Sequence, residues 1–439
     1  GYQKEIYALA YTDKLTGVRN FTKFRQDGEG MLQAPDGLPC ALLSINMLNF
    51  KIYNDVMGYS EGDALLKAFA RILEREAPRP VLVARMLADA FLVLFPYKGK
   101  GELVTYCEAY SRALNGFIVS REQNYQLELR SGICCVEDSD ASDINSLLDR
   151  ANMALKTIKV KGAAQWKFYD HTMRDKLLRE KDLEIRMEKA LADGEFLVYI
   201  QPKYWVGTRA LAGGEALVRW KSPDQGFLSP GEFIPLFEKN RFIVKLDQFM
   251  FTSVCGLLRQ WLDAGIEPRP LSVNVSRMQF HTPDFVERYI RIKSQYAIPD
   301  GLLELEFTES IFFDNVALLS SAVHELRRAG IKCSIDDFGA GYSSLNVLKA
   351  LPVSVLKLDG MFFRTAKDDE QAKIVIRNIM RMAGELKMAT VAEGVETHEQ
   401  VAFLETTGCD IIQGYVFARP MPAAEFTELL AGEGGHAER

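Results

Sequence analysis

Ile331-Lys332-Cys333-Ser334-Ile335-Asp336-Asp337-Phe338-Gly339-Ala340-Gly341-Tyr342 is an apolar run that ends on two adjacent carboxylates and then enters a Gly-rich turn. The length of the run suits a buried strand. A buried strand that delivers two acids to its own end is costly unless something cationic sits there. A pair of divalent metal ions is the natural occupant, and it points to phosphate-ester chemistry.

Similar apolar runs flank this one, at 196–204, 216–220, 271–275, 302–307, 353–358, 388–392 and 411–417. Most are separated by stretches of helical periodicity, such as 231–256 and 370–387. This alternation predicts an α/β architecture, a closed (β/α)8 TIM-like barrel. Between 204 and 216 there is room only for a hairpin, because a parallel crossover needs about a dozen residues or more. The first barrel strand is therefore predicted to run antiparallel to the second.

In such a barrel the reactive groups gather at one rim, supplied by several strand ends. The polar residues at these ends are Glu215, Asn274, Glu306, Glu309, Asp336, Asp337, Lys357, Asp359, Glu393, Glu396 and Gln413. Oxygen ligands without thiol or imidazole suit Mg2+ or Mn2+ better than zinc. Lys357 could hold a phosphate oxygen or a water as a compact positive charge. Singly, each residue has a plainer reading: Asn274 as a turn cap, Gly339 and Gly341 as turn glycines, each acid as a solvated side chain. The argument rests on the set, in which many strand ends carry one ligand type.

The composition agrees. Of 439 residues, 48% are hydrophobic and 26% charged, as in an ordinary globular protein of two or three domains. A net charge of −6 argues against a nucleic-acid polymer as partner, since its reader would carry a basic face. Cys40, Cys107, Cys134, Cys135, Cys255, Cys333 and Cys409 are scattered, without a CxxC pair, and read as reduced core thiols. No apolar run approaches the ~20 residues of a membrane span, and no signal peptide is legible. The expected location is cytoplasmic. The chain opens on Gly1, so a longer protein tethered to a membrane through an upstream region stays open.

Ahead of the barrel, strands are predicted at 42–46, 90–96, 127–136 and 166–169, with helices at 60–76 and 144–159. The Lys-, Arg- and Glu-rich stretch 171–191 has Leu177, Leu178, Leu183 and Ile185 at helical spacing and reads as a helical linker, or as a solvated helix of one domain. The expected boundaries are a signalling-helix remnant at 1–12, a first domain at 13–170, the linker at 171–190, the barrel at 191–432 and a tail at 433–439.

Residues from about 186 to 430 resemble the EAL family of cyclic di-GMP phosphodiesterases. The resemblance is carried by Glu215-Ala216-Leu217 with Val218-Arg219-Trp220, Asn274-Val275-Ser276, Glu306-Phe307-Thr308-Glu309, Asp336-Asp337-Phe338-Gly339, Leu356-Lys357-Leu358-Asp359, Ala392-Glu393-Gly394-Val395-Glu396 and Gln413-Gly414-Tyr415. It implies a two-metal Mg2+ or Mn2+ site. Glu215, Asn274, Glu306 and Asp336 would hold one ion; Asp336, Asp337 and Glu393 would serve the second or the attacking water, which Lys357 contacts. By the same resemblance Glu309 braces the Asp-Asp loop, whose ordering is tied to homodimerisation through this domain. Gln201, Leu217, Arg219, Asp359 and Gln413 are implied substrate contacts. No ligand position departs from the pattern. The implied reaction is hydrolysis of cyclic di-GMP to linear pGpG; a receptor that binds without cleaving is the alternative.

The first domain resembles a GGDEF, or diguanylate cyclase, domain, which is nucleotidyl-cyclase-like. Asp13-Lys14-Leu15-Thr16-Gly17-Val18-Arg19-Asn20, Phe50-Lys51-Ile52-Tyr53-Asn54-Asp55 and Gly62-Asp63 carry the likeness. Its signature is broken, because Leu87-Ala88-Asp89-Ala90-Phe91 stands where the family has Gly-Gly-Asp/Glu-Glu-Phe. Leu87 and Ala88 put Cβ atoms where glycines let a triphosphate approach. Ala90 has no ligand atom, and Asn46 replaces a metal-binding Asp. Pro78 and Val81 replace the family's inhibitory Arg-x-x-Asp pair. A bifunctional synthase and hydrolase is disfavoured on these grounds. Asn54 and Asp63 match the guanine-reading pair and Lys159 a phosphate contact, which would make a GTP-sensing pocket; Asn54 and Asp63 equally suit turns and caps.

Overall fold

The computed structural model describes residues 9–33, 39–76, 82–121, 127–139, 141–158, 165–308, 311, 316–339, 352–365 and 369–434. Pro78, Val81, Lys159, Glu309 and Gly341 lie outside them. The chain divides into two compact units, Gly1–Lys181 and Asp182–Arg439.

In the first unit, β1 (Cys40–Met47), β2 (Leu82–Leu87), β3 (Ala90–Pro96), β4 (Leu129–Cys135) and β5 (Trp166–Phe168) form a sheet in the order β2-β3-β1-β4-β5. β4 and β5 pair in parallel and the other neighbours are antiparallel. Helices cover both faces. Leu43, Ile45, Phe91 and Val93 pack with Phe69 and Tyr110, while Leu42, Leu92 and Leu94 pack with Phe24, Leu147 and Ala151. The sequence-predicted helices at 60–76 and 144–159 are Tyr59–Arg75 and Ile144–Lys156. β2 was not anticipated; Arg85, Met86 and Leu87 break its apolar run after three buried residues.

The second unit is the predicted barrel. Its strands are β6 (Phe196–Trp205), β7 (Leu211–Ser222), β8 (Gly226–Leu228), β9 (Leu271–Asn274), β10 (Leu303–Thr308), β11 (Lys332–Phe338), β12 (Val355–Leu358), β13 (Ala389–Ala392), β14 (Ile411–Ile412) and β15 (Met421–Pro422). Eight of them close a ring in the order β6-β7-β9-β10-β11-β12-β13-β14, with β14 returning to β6. β6 is antiparallel to both β7 and β14, as the short 204–216 connection requires. The short strands β8 and β15 add to β7 and β6 and were not predicted.

The stretch 231–256 is two helices, Pro230–Lys239 and Ile243–Asp263, because Arg241 between them takes a φ of 68°. The predicted linker is one helix, His171–Ala192, which buries only Leu183 and Ala190 and leaves Leu178 and Ile185 exposed. The last predicted strand, 411–417, stops at Ile412. There Gly414 passes so close to Val395 that a Cβ would fall 2.0 Å from its carbonyl oxygen, and the chain turns away after Gln413. No described helix is long and apolar enough to cross a membrane.

Candidate active site

Strand alternation builds the site. In β9 to β12, Leu271, Val273, Leu303, Leu305, Phe307, Cys333, Ile335, Leu356 and Leu358 belong to the apolar core. Ser272, Asn274, Glu304, Glu306, Ser334, Asp336 and Lys357 alternate with them and face the opposite way. Parallel strands of a barrel usually carry apolar side chains on both faces. Here the inward face is polar. Glu215 on β7 joins it, opposite Gln201 on β6 and beside Ser272 on β9.

Lys357 occupies the centre and is 0% exposed. Its Nζ lies 3.5 Å from Glu215 Oε2, 3.1 Å from Asp336 Oδ1 and 2.6 Å from Glu393 Oε1, and it also donates to Glu306 Oε2. An ammonium carries three protons, so four carboxylates compete for them. Burial alone would lower the Lys357 pKa, but the surrounding acids raise it well above the ordinary lysine value. Burial would lift Glu306, yet Lys203 and Lys357 hold it down to about 2. Glu215 and Glu393 go the other way: burial and neighbouring acids raise both, against the pull of Lys357.

Asp336 and Asp337 are adjacent in a strand and would normally face opposite ways. The pairing of β11 with β12 slips between Ile335 and Phe338, so the two acids form a bulge, a device that re-aims side chains. Asp337 takes a left-handed φ of 55° and donates its backbone N–H to Asp336 Oδ1 at 2.9 Å. One oxygen from each of Asp336, Asp337 and Glu393 then falls within 4.8 Å of the others. Gly339 follows with a φ of 91°, where a Cβ would meet the Phe362 ring at 2.3 Å.

Amides complete the rim. Asn274 Nδ2 donates to Glu215 Oε1 at 2.7 Å, and Gln413 Nε2 donates to Glu215 Oε2 at 2.6 Å and Gln201 Oε1 at 3.1 Å. Gln413 Oε1 is buried with no hydrogen-bond partner among the described residues. A cavity of about 310 Å³ opens on this cluster, lined by Gln201, Leu217, Glu393, Glu396, Gln413 and Tyr415 among others.

The donor set fits divalent cations. It consists of carboxylate and amide oxygens, hard ligands suited to Mg2+ or Mn2+, and the acids outnumber what one ammonium can satisfy. Burial, with Asp336 and Asp359 nearby, raises Asp337 to about 6. A cation must displace that proton, so affinity is lost as the pH falls through about 6. Calorimetric titration with Mn2+ from about pH 5 to about pH 8 is expected to show tighter binding and less proton release as the pH rises. An affinity independent of pH would remove Asp337 and Glu393 from the ligand set.

Of the other residues singled out by sequence, Leu217 and Arg219 line a second cavity of about 370 Å³ together with Asn274, Ser276 and Asp247. Arg219 stacks 5.5 Å from the Tyr199 ring and donates to the Val218 carbonyl. Asp359 lies near enough to Asp337 to raise it, and its Oδ1 accepts from Met361 N at 2.6 Å. Sequence reasoning missed Asp247, which is buried, accepts from Ser276 N at 3.0 Å, and is raised by burial to about 7. It also missed Lys203, whose Nζ reaches Glu306. An acid on a helix and a lysine in mid-strand carry no strand-end signal; their inward position alone could have marked them.

In the first unit Asn54 Oδ1 is buried without a hydrogen-bond partner among the described residues and packs against Gly62, where a Cβ would lie 1.8 Å away. Asp63 is exposed. In the turn between β2 and β3, Ala88 takes a φ of 51° and its carbonyl accepts from Arg85 Nε and Nη2, while Asp89 accepts from Met47 N.

Residues 185–420 match the EAL domain and residues 10–165 the diguanylate cyclase, GGDEF domain. The bifunctional diguanylate cyclase/cyclic di-GMP phosphodiesterase MucR of Pseudomonas aeruginosa is 30% identical over 98% of this chain and 63% of its own length. The cyclic di-GMP phosphodiesterase PA2567 of the same organism is 31% identical over 96% of this chain and 71% of its own. The solved structure of the PaMucR phosphodiesterase in its c-di-GMP complex is 35% identical, with a TM-score of 0.53, over 56% of this chain and 99% of that one. The chain spans about half to two thirds of the length of most curated relatives it matches.

Proposed function

The chain belongs to the EAL domain family, in tandem behind a GGDEF domain, and from that premise we propose that it hydrolyses cyclic di-GMP to linear pGpG with Mg2+ or Mn2+. The observation that carries this reading is the ring of four carboxylates around the Lys357 ammonium at the barrel rim. Glu215, Asn274, Glu306 and Asp336 would hold one ion, and Asp336, Asp337 and Glu393 a second. When bound, such ions polarise the phosphate and make a nucleophile of water near neutral pH.

The chain's own groups do the rest. With its carboxylates engaged elsewhere, Lys357 Nζ is freed to donate to the attacking water or to a phosphate oxygen. Gln413, itself bonded to Gln201 on β6, holds Glu215 Oε2 in place. Water adds at phosphorus, the bond to the 3′ oxygen breaks, and the proton passes to that oxygen. The Leu217–Arg219 cavity is of a size for a purine, and Asp247 in its wall suits the N–H donors of guanine.

The first domain makes no cyclic di-GMP, because Ala90 and Asn46 remove metal ligands; its role is structural or, through Asn54 and Asp63, GTP-sensing. Homodimerisation through the EAL domain and a cytoplasmic location follow from the same reading. The purified chain incubated with cyclic di-GMP and Mg2+ or Mn2+ is expected to give pGpG, and with GTP alone neither pppGpG nor cyclic di-GMP. Binding without product would make it a cyclic di-GMP receptor. A cyclic product from GTP would overturn the inactive first domain.

A further inference from the structure

A second lysine lies within the same barrel, and nothing in the reading above uses it. Lys203 is on β6, two residues after Gln201 and on the same inward face, and it is 6% exposed. Its Nζ donates to Glu306 Oε1 at 2.9 Å and to Ser272 Oγ at 2.8 Å. Glu306 is thereby divided. Lys203 takes Oε1, while Oε2 faces Lys357 and, through it, Glu215, Asp336 and Glu393.

Despite its burial, Lys203 is near enough to both Glu306 and Glu304 to be raised by their charge, but its hydrogen bonds favour one of them. Glu304 is buried two residues before Glu306 on β10, and its Oε1 has no hydrogen-bond partner among the described residues. A lysine present only to neutralise buried acid would serve that atom as well. Instead, among the described residues, one hydrogen bond of Lys203 fixes Glu306 Oε1 and the other anchors the ammonium to Ser272 on β9, the strand beside β10.

We propose that Lys203 is a positioning residue for Glu306: by holding Oε1 it leaves Oε2 alone to face the rim, so that this carboxylate offers a divalent cation one oxygen and not two. The proposal rests on the metal-site reading above. Its consequence is selectivity. Mg2+ and Mn2+ favour compact octahedral sites with single-oxygen carboxylate ligands, whereas Ca2+ accepts two-oxygen carboxylates in larger, flexible shells. Losing Lys203 frees Glu306 to rotate and offer both oxygens.

The test is calorimetric binding of Mn2+ and of Ca2+ to the full chain, to Lys203→Met and to Ser272→Ala, with a thermal melt of each. In Lys203→Met the Mn2+ affinity is expected to fall by about tenfold or more, as for other residues that orient metal ligands, while Ca2+ affinity falls less or rises. Ser272→Ala keeps the charge but removes one anchor, and its Mn2+ to Ca2+ ratio is expected to move in the same direction by a smaller factor; it carries the test if Lys203→Met does not fold. Equal losses for both ions, or an unchanged ratio in the folded variants, would overturn the proposal and leave Lys203 a counter-charge. An unsubstituted chain that binds neither ion would overturn the metal-site reading and this proposal with it.

Discussion

Lys357→Met is expected to lose turnover of cyclic di-GMP by ~10²–10⁴-fold, the range for a group that moves or holds a proton in the reaction. The same substitution is expected to destabilise the metal-free chain by about 3–5 kcal/mol, the range for removing one partner of a buried ion pair. The two effects have different origins. For turnover, the role proposed for Lys357 is to reach the water and the phosphate. For stability, it is a counter-ion shared by Glu215, Asp336, Glu393 and, together with Lys203, Glu306. Protonation of Glu215 and Glu393, both already raised, offsets part of the loss. Ligand binding to the native state adds stability by mass action, so saturating Mn2+ is expected to restore the melting temperature and not the turnover. Thermal melts with and without Mn2+, beside chromatography of the nucleotide products, separate the two. A variant that is stable without metal, or that keeps its activity, would show that Lys357 does not sit among ionised carboxylates in solution.

Asp336→Asn is expected to lower turnover by at least ~10³-fold, since it removes a charge from the centre of the ligand set and effects on groups that act as a unit reach this size. Asp336 takes part in both halves of the site: it accepts from Asp337 N and Lys357 Nζ, and it shares a cation-sized space with Asp337 and Glu393. Asn keeps the shape and the backbone hydrogen bond, so fold and cyclic di-GMP binding are expected to persist. Single-turnover assays with calorimetry of nucleotide binding check this. Activity within tenfold of the unsubstituted chain would sink the assignment of Asp336 as a ligand, and loss of nucleotide binding would point to a collapsed loop.

Much of this was legible in the chain. The barrel strands announced themselves because one face of each buries against helices, so apolar residues recur at every second position in Leu303-Glu304-Leu305-Glu306 and Ser334-Ile335-Asp336. The antiparallel first strand followed from the length of one connection. The acids that gather around Lys357 were legible because they stand at the ends of apolar runs, where a buried charge needs a counter-charge. Elements whose stability comes from neighbours were not legible: β2 owes its pairing to β3, and the split near Arg241 is a single left-handed residue within 236–255, a stretch without Gly or Pro.

By itself the sequence determined the order of the elements, the direction of β6 and the list of acids that reach the rim, since alternation and connection length are properties of neighbours along the chain. Tertiary structure alone decided which inward residues meet. Closure of the ring brings Lys203 on the first barrel strand to Glu306 on the fourth, and Lys357 to acids on three other strands and to Glu393 just past the end of β13. The slipped pairing of β11 with β12 brings carboxylate oxygens of Asp336 and Asp337 within 4.8 Å of each other rather than to opposite faces. The reason is physical: a strand's pattern records which side is buried, while the partner across a barrel depends on register and closure, which no single strand contains.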